Sequence, residues 1–233
     1  MGGMTDPITA EQRAALRALV PALPRDAYLA GGVAVAATLH HRTSRDLDFF
    51  VPTDFDPERM AERLTAEVAG LRVTSTAAGT LYLEVNGVPA SILAYRYPLL
   101  AEPQPNAELA VRVASLEDLA CMKLSAIASR GMARDFWDVH ALLAHGVAGG
   151  DLRQALDLYC RKFAADDLGH VVRSLVYFGD ADESPLPRGL SAAEWGRIKG
   201  DVERWVTALE FPRGWGWLRE RGYARSSIDR YRA

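Results

Sequence analysis

The chain has 233 residues, 49% of them apolar and 24% charged, with a formal net charge of −3. That balance is ordinary for a soluble globular protein, and the length allows one large domain or two modest ones with buried cores. It excludes a molecule whose whole surface attracts nucleic acid, and two cysteines, Cys121 and Cys160, without CxxC spacing argue against a zinc site or a disulfide framework. The start, "MGGMTDPITAEQ", has no basic stretch followed by an apolar one, and no apolar run is long enough for a membrane span. The expected location is therefore the cytoplasm, away from membranes.

Ile8 to Leu19 reads as a helix, with Thr9 as N-cap and Gln12 completing a capping box. "AYLA" predicts a very short strand running into Gly31-Gly32, and "VAVAATLHH" a small-residue helix. After the turn "RTSR", "DLDFFVP" is a strand ended by Pro52, and Pro57 to Val68 an amphipathic helix. Three strand-like runs follow, "LRVTST", "GTLYLEV" and "VPASILAYRY", the last two joined by the hairpin signal Asn86-Gly87. "LLAEPQPNAELAVRV", with two prolines, reads as an inter-domain connection. From Ser115 onward every pattern is helical, with Ser115 and Asp118 spaced like a capping box and Gly131 and Gly146 as stops. The fold class is α+β, a mixed-sheet domain over residues 1–105 followed by an all-helical domain over residues 106–233.

On a strand, Asp46 and Asp48 project to one side while Leu47 and Phe49 face the other. Two carboxylates so close repel unless a cation lies between them, and Mg²⁺ carrying substrate phosphates is the usual solution. Two aspartates meeting solvent at a strand end would leave the same trace. Gly31 and Gly32 open a helix whose free N–H groups suit an anion, although most such pairs are ordinary turns. Their separation from Asp46 by a short helix and a turn lets phosphate-binding backbone and metal-binding carboxylates face one cleft. Ser44 suits phosphate binding or the capping of a turn. Arg42 and Arg45 suit phosphates, an RNA backbone or nearby acids. Adjacent His40 and His41 do not converge on one ion.

The Gly-Gly helix start followed by Asp-x-Asp resembles the signature of the DNA-polymerase-β-like nucleotidyltransferase superfamily. With "VPASILAYRYP", "SLEDLACMKLSAIASRG" and "RDFWDVHALL" in order, the chain from about Ala27 to Leu143 looks like the AbiEii/AbiGii-type toxin family, which includes the MenT toxins. The resemblance implies metal-dependent transfer of a nucleotidyl group from an NTP, with pyrophosphate leaving. It implies Mg²⁺ or Mn²⁺ on Asp46 and Asp48, and a triphosphate cradled by Gly31 and Gly32. Lys123 would meet the NTP phosphates, and Asp138 would act on the following helix. The implied acceptor is RNA, the tRNA 3′ end above all, and the implied partner an antitoxin in a toxin-antitoxin or phage-defence system. Transfer to a protein or small molecule, or NTP or RNA binding without turnover, remain alternatives.

Bottom-up, the short Gly131 turn makes the Lys123 and Asp138 helices a hairpin, so both side chains can point at the same cleft. The apolar and small neighbours of Lys123 in "ACMKLSAIA" argue against a solvated surface charge. The plain alternatives are a snorkelling lysine and an Asp138 paired with Arg134. Asp135, nearer the start of its helix, fits an interaction with the helix dipole. One departure stands out: where many superfamily members carry a third carboxylate, "VPASILAYRY" has Ser91, and a neutral hydroxyl is a poor metal ligand. Asp138 is then the candidate for the missing carboxylate. The tail from Pro212 combines six arginines with Trp215, Trp217, Tyr223 and Tyr231, suiting either RNA stacking or packing on the core.

Overall fold

The structure, a computed structural model, describes residues 6–210 and separates the chain into two units, Met1–Ser115 and Leu116–Ala233. In the first unit, α1 (Ala10–Leu19) begins with the expected capping box. The Gln12 amide donates to Thr9 Oγ1 at 3.2 Å and the Thr9 amide to Gln12 Oε1 at 2.9 Å. There follow β1 (Tyr28–Ala30), α2 (Gly31–Leu39), β2 (Leu47–Val51) and α3 (Pro57–Glu67), the last capped by Asp56 with proline in its first turn. The remaining elements are β3 (Leu71–Ala77), β4 (Thr80–Val85), β5 (Val88–Ala94), β6 (Gln104–Asn106) and β7 (Val111–Val113). The strands form one mixed sheet in the order β3-β4-β5-β2-β1-β7-β6.

Register divides the sheet into two chemically different faces. Leu47, Phe49 and Val51 of β2 lie beside Ala90, Ile92 and Ala94 of β5. With Leu81, Leu83 and Val85 of β4 they supply a largely buried apolar face. On the opposite face one row runs Ser75, Tyr82, Ser91, Asp48, Ala30 across five strands. The hairpin between β4 and β5 turns through Asn86 (φ 49°) and Gly87 (φ 82°), the paired left-handed residues of a type I′ turn. That turn fixes the register, and with it the placing of Ser91 opposite Tyr82.

The segment expected to link two domains is part of the sheet instead. Antiparallel β6 and β7 occupy residues 104–113 and attach to β1 through the parallel pair Leu29 and Val113. Pro105 is tolerated because β6 is an edge strand and one of its sides needs no ladder bond. The boundary accordingly falls after Ser115, beyond the expected residue 105.

The second unit contains α4 (Leu116–Arg130), α5 (Ala133–Ala144), α6 (Leu152–Phe163), α7 (Gly169–Leu175), α8 (Gly179–Glu183) and α9 (Ala192–Glu210). Helix α4 packs on α5, α6 and α7, and α9 on α5. Their core gathers Leu124, Phe136, Leu156, Leu175, Trp195 and Ile198. Gly131, at φ 54°, ends α4 by donating its amide to the Ile127 carbonyl at 3.1 Å. The Asp118 carboxylate accepts from Lys162 Nζ at 2.6 Å, both side chains fully buried. Among the described residues no helix is long and apolar enough to cross a membrane. The basic aromatic tail lies outside the described residues.

Candidate active site

The strand-helix-strand unit β1–α2–β2 explains why both glycines are needed. Asp48 sits opposite Ala30 in the antiparallel pair, so its side chain reaches the first turn of α2. Gly31 has φ 69°, and a Cβ there would collide with the Asp48 carboxylate oxygen Oδ2. A Cβ on Gly32 would collide with Ser44 Oγ and meet Arg42 Nη2 at 2.9 Å. Absent side chains thus let Asp48, Ser44 and Arg42 close on the N-terminal turn of α2. Ala30, at the N-cap, contributes no side-chain capping bond. A helix start of this kind, with a guanidinium and a hydroxyl beside it, suits a phosphate.

The connection from α2 to β2 is held from outside. Buried Gln12, besides closing the capping box, donates Nε2 to the carbonyls of Ser44 (2.7 Å) and Arg45 (3.0 Å). Arg42 Nη1 donates to the Thr43 carbonyl at 2.8 Å. These three bonds restrain the loop that delivers Asp46, which is exposed and immediately precedes β2. Half-buried Asp48 lies within the strand, where Oδ1 accepts from Ser91 Oγ at 2.7 Å. The residue in the position of the expected third carboxylate is therefore a donor to the second.

In the helical unit, Lys123 and Asp138 form an ion pair of 2.7 Å, both buried. Asp135 joins them: it accepts from Lys123 Nζ at 3.2 Å and from Arg130 Nε and Nη2, each at 2.9 Å. Burial pushes the Asp135 carboxyl upward, but the Arg130 hydrogen bonds and the Lys123 and Arg130 charges outweigh it and leave the pKa below 3.8. Asp135 is thus a member of this cluster as well as a first-turn residue of α5. Sequence spacing alone hid it, because the five-residue step from Arg130 crosses the Gly131 turn. His40 ends α2 as an exposed left-handed residue, a terminating role.

Among the described residues no three His, Cys, Asp or Glu side chains gather closely enough to hold an ion. The donors at β2 are two carboxylates, Asp46 and Asp48. That set fits a hard ion such as Mg²⁺ or Mn²⁺ that keeps waters and takes further oxygens from substrate phosphates, and does not fit a cage built wholly from protein.

A mixed sheet carrying a Gly-Gly helix start against an Asp-x-Asp strand, followed by helices, defines a protein of the nucleotidyltransferase class. The structure is similar over 96% of its length to 92% of MenT4, a nucleotidyltransferase toxin of Mycobacterium tuberculosis, with 19% identity and a TM-score of 0.59. It also matches JHP933 of Helicobacter pylori at 19% identity, covering 87% of this chain and 98% of that one, with a TM-score of 0.47. An uncharacterized protein of Aquifex aeolicus is 38% identical over 179 residues, 74% of this chain and 84% of that protein. The family model described as nucleotidyl transferase AbiEii toxin, type IV toxin-antitoxin system, matches residues 76–213. The chain belongs to this AbiEii family, and it is a nucleotidyltransferase. The match reaches well past Leu143, where the resemblance read from the motifs ended, and begins after the Gly-Gly and Asp-x-Asp segment.

Proposed function

We propose that the protein transfers a nucleotidyl group from an NTP to an RNA acceptor, the tRNA 3′ end, as the toxin of a toxin-antitoxin or phage-defence pair. The observation that carries this reading is the packing of Asp48 on the glycine start of α2, which sets a carboxylate beside a helix N-terminus. Backbone amides of the first turn, with Arg42 and Ser44, bind the triphosphate. Asp46 and Asp48 would hold Mg²⁺ or Mn²⁺, which when bound stabilises charge on the reacting phosphate and the leaving pyrophosphate. Lys123 and Asp138 serve the same reaction as a coupled pair. A phosphate that recruits Lys123 must compete with Asp138 and Asp135, so recruitment is conditional on substrate. An antitoxin partner and a cytoplasmic location follow from the toxin reading.

The test is incubation with each labelled NTP and total tRNA in Mg²⁺ or Mn²⁺. Label at the RNA 3′ end is expected. Label on protein or a small molecule would move the acceptor, and absence of pyrophosphate with every acceptor would refute transfer. Asp46→Ala, Asp48→Ala and Lys123→Ala should each lower the rate on the order of a hundredfold or more, the scale of removing a charge-stabilising group. Full activity in any of them would remove that residue from the site.

A further inference from the structure

We infer that Ser91 is a positioning residue, fixing the Asp48 carboxylate in the orientation that receives a divalent cation. The inference rests on the metal reading of Asp48 given above. Ser91 and Asp48 are directly paired across the parallel strands β5 and β2, so their side chains leave the same face of the sheet. The Ser91 hydroxyl is buried and donates to Asp48 Oδ1 at 2.7 Å.

The terminal torsion of an aspartate is soft and broad, so an unrestrained carboxylate samples many planes. Here one oxygen is tied to Ser91 and the other lies where a Cβ on Gly31 would be, which constrains the plane at both ends. An ionised carboxylate has about four lone-pair positions, and one donated hydrogen bond occupies only one of them. The Ser91 bond by itself therefore does not use up the carboxylate's capacity to bind an ion. A third carboxylate at position 91 would offer another ligand, but would stand next to Asp48 as a like charge and repel it whenever no cation was present. The serine gives up that ligand and holds Asp48 ready without needing the cation to organise the pair. The chemistry implied is a site with a weak affinity for the bare ion that gains its remaining oxygens from a nucleotide's phosphates.

The experiment titrates Mn²⁺ into the full-length protein, following the free-ion paramagnetic resonance signal, with and without a non-hydrolysable NTP analogue. Ser91→Ala removes one atom and should weaken Mn²⁺ binding about tenfold, equivalent to about 1.4 kcal/mol. Ser91→Thr keeps the donor on a β-branched frame suited to a strand and should bind within about twofold of the parent. In turnover, Ser91→Ala should raise the Mn²⁺ concentration needed for half-maximal rate while the rate at saturation changes little, a split that general destabilisation would not produce. Ser91→Asp should bind bare Mn²⁺ more tightly than the parent. Unchanged or tighter binding in Ser91→Ala, beside weakened binding in Asp48→Asn, overturns the inference and leaves the proposed function standing. Equal binding in the parent and Asp48→Asn overturns the metal reading of Asp48, and the inference with it.

Discussion

Gly31 and Gly87 are both left-handed, at φ 69° and φ 82°, yet their surroundings separate backbone strain from site geometry. Around Gly87 nothing lies within 4 Å of an added Cβ, whereas at Gly31 that atom would displace Asp48. An alanine at either position meets the same left-handed backbone penalty of about 1–2 kcal/mol. Gly31→Ala should in addition push the carboxylate aside and reduce nucleotidyl transfer by roughly a hundredfold, the effect of a misplacement near 1 Å. Gly87→Ala should show the stability loss with activity intact. Urea unfolding and initial rates on both variants check this, and equal activity losses would assign Gly31 to strain alone. The Gly-Gly pair was visible in the sequence as a helix start with room for a ligand. What pattern alone did not disclose is that its room is filled by Asp48, Ser44 and Arg42, since those contacts depend on the register of β1 against β2.

Between elements, the buried pair Asp118–Lys162 joins α4 to α6 at complementary helix ends. Asp118 stands in the first turn of α4 and Lys162 in the last turn of α6, each where the helix dipole favours its charge. Removing one charge leaves the other buried without its ionic partner, so Asp118→Asn or Lys162→Met should destabilise by about 3–5 kcal/mol. The double replacement Asp118→Leu with Lys162→Met should recover most of that loss, because two apolar groups need no compensation. A double-mutant cycle by urea unfolding measures it, and additive losses would show that the charges act separately. This pair was not legible, as 44 residues separate its members and each taken singly reads as an ordinary helix-end charge. The local devices were legible: the Thr9–Gln12 box, the Asn86-Gly87 turn and the Gly131 stop each rest on neighbouring residues. Strands β6 and β7 were hidden for the converse reason. They are three residues each, one holds Pro105, and only attachment to β1 gives them partners.

In the helical unit, four groups with shifted pKa values, exposed Asp182, partly buried Asp201 and buried Asp135 and Cys121, contribute to the response to pH. Asp182 is lowered by hydrogen bonds from Trp195 and Lys199, and Asp201 by its hydrogen bond with His140 and the Arg204 charge. Asp135 is lowered despite burial, and burial pushes the Cys121 thiol up to about 12. For the three carboxylates the folded pKa lies below the unfolded one, so the unfolded chain binds more protons at acid pH. Their contribution is present above about pH 4 and is lost as pH falls through the folded values. For Cys121 the folded pKa lies above the unfolded one, so its contribution is complete below about pH 8.5 and declines as pH rises toward 12. Stability of this unit should therefore be flat between about pH 4 and pH 8.5 with respect to these groups, and decline on either side by at most about 1.4 kcal/mol per pH unit for each proton involved. Trp137, Trp195 and Trp205 stand on helices of this unit, so their fluorescence reports on it. Urea midpoints followed by that signal should hold steady across the window and drop below it. A drop centred near pH 6 would take control away from these aspartates, whose folded pKa values lie below the unfolded ones.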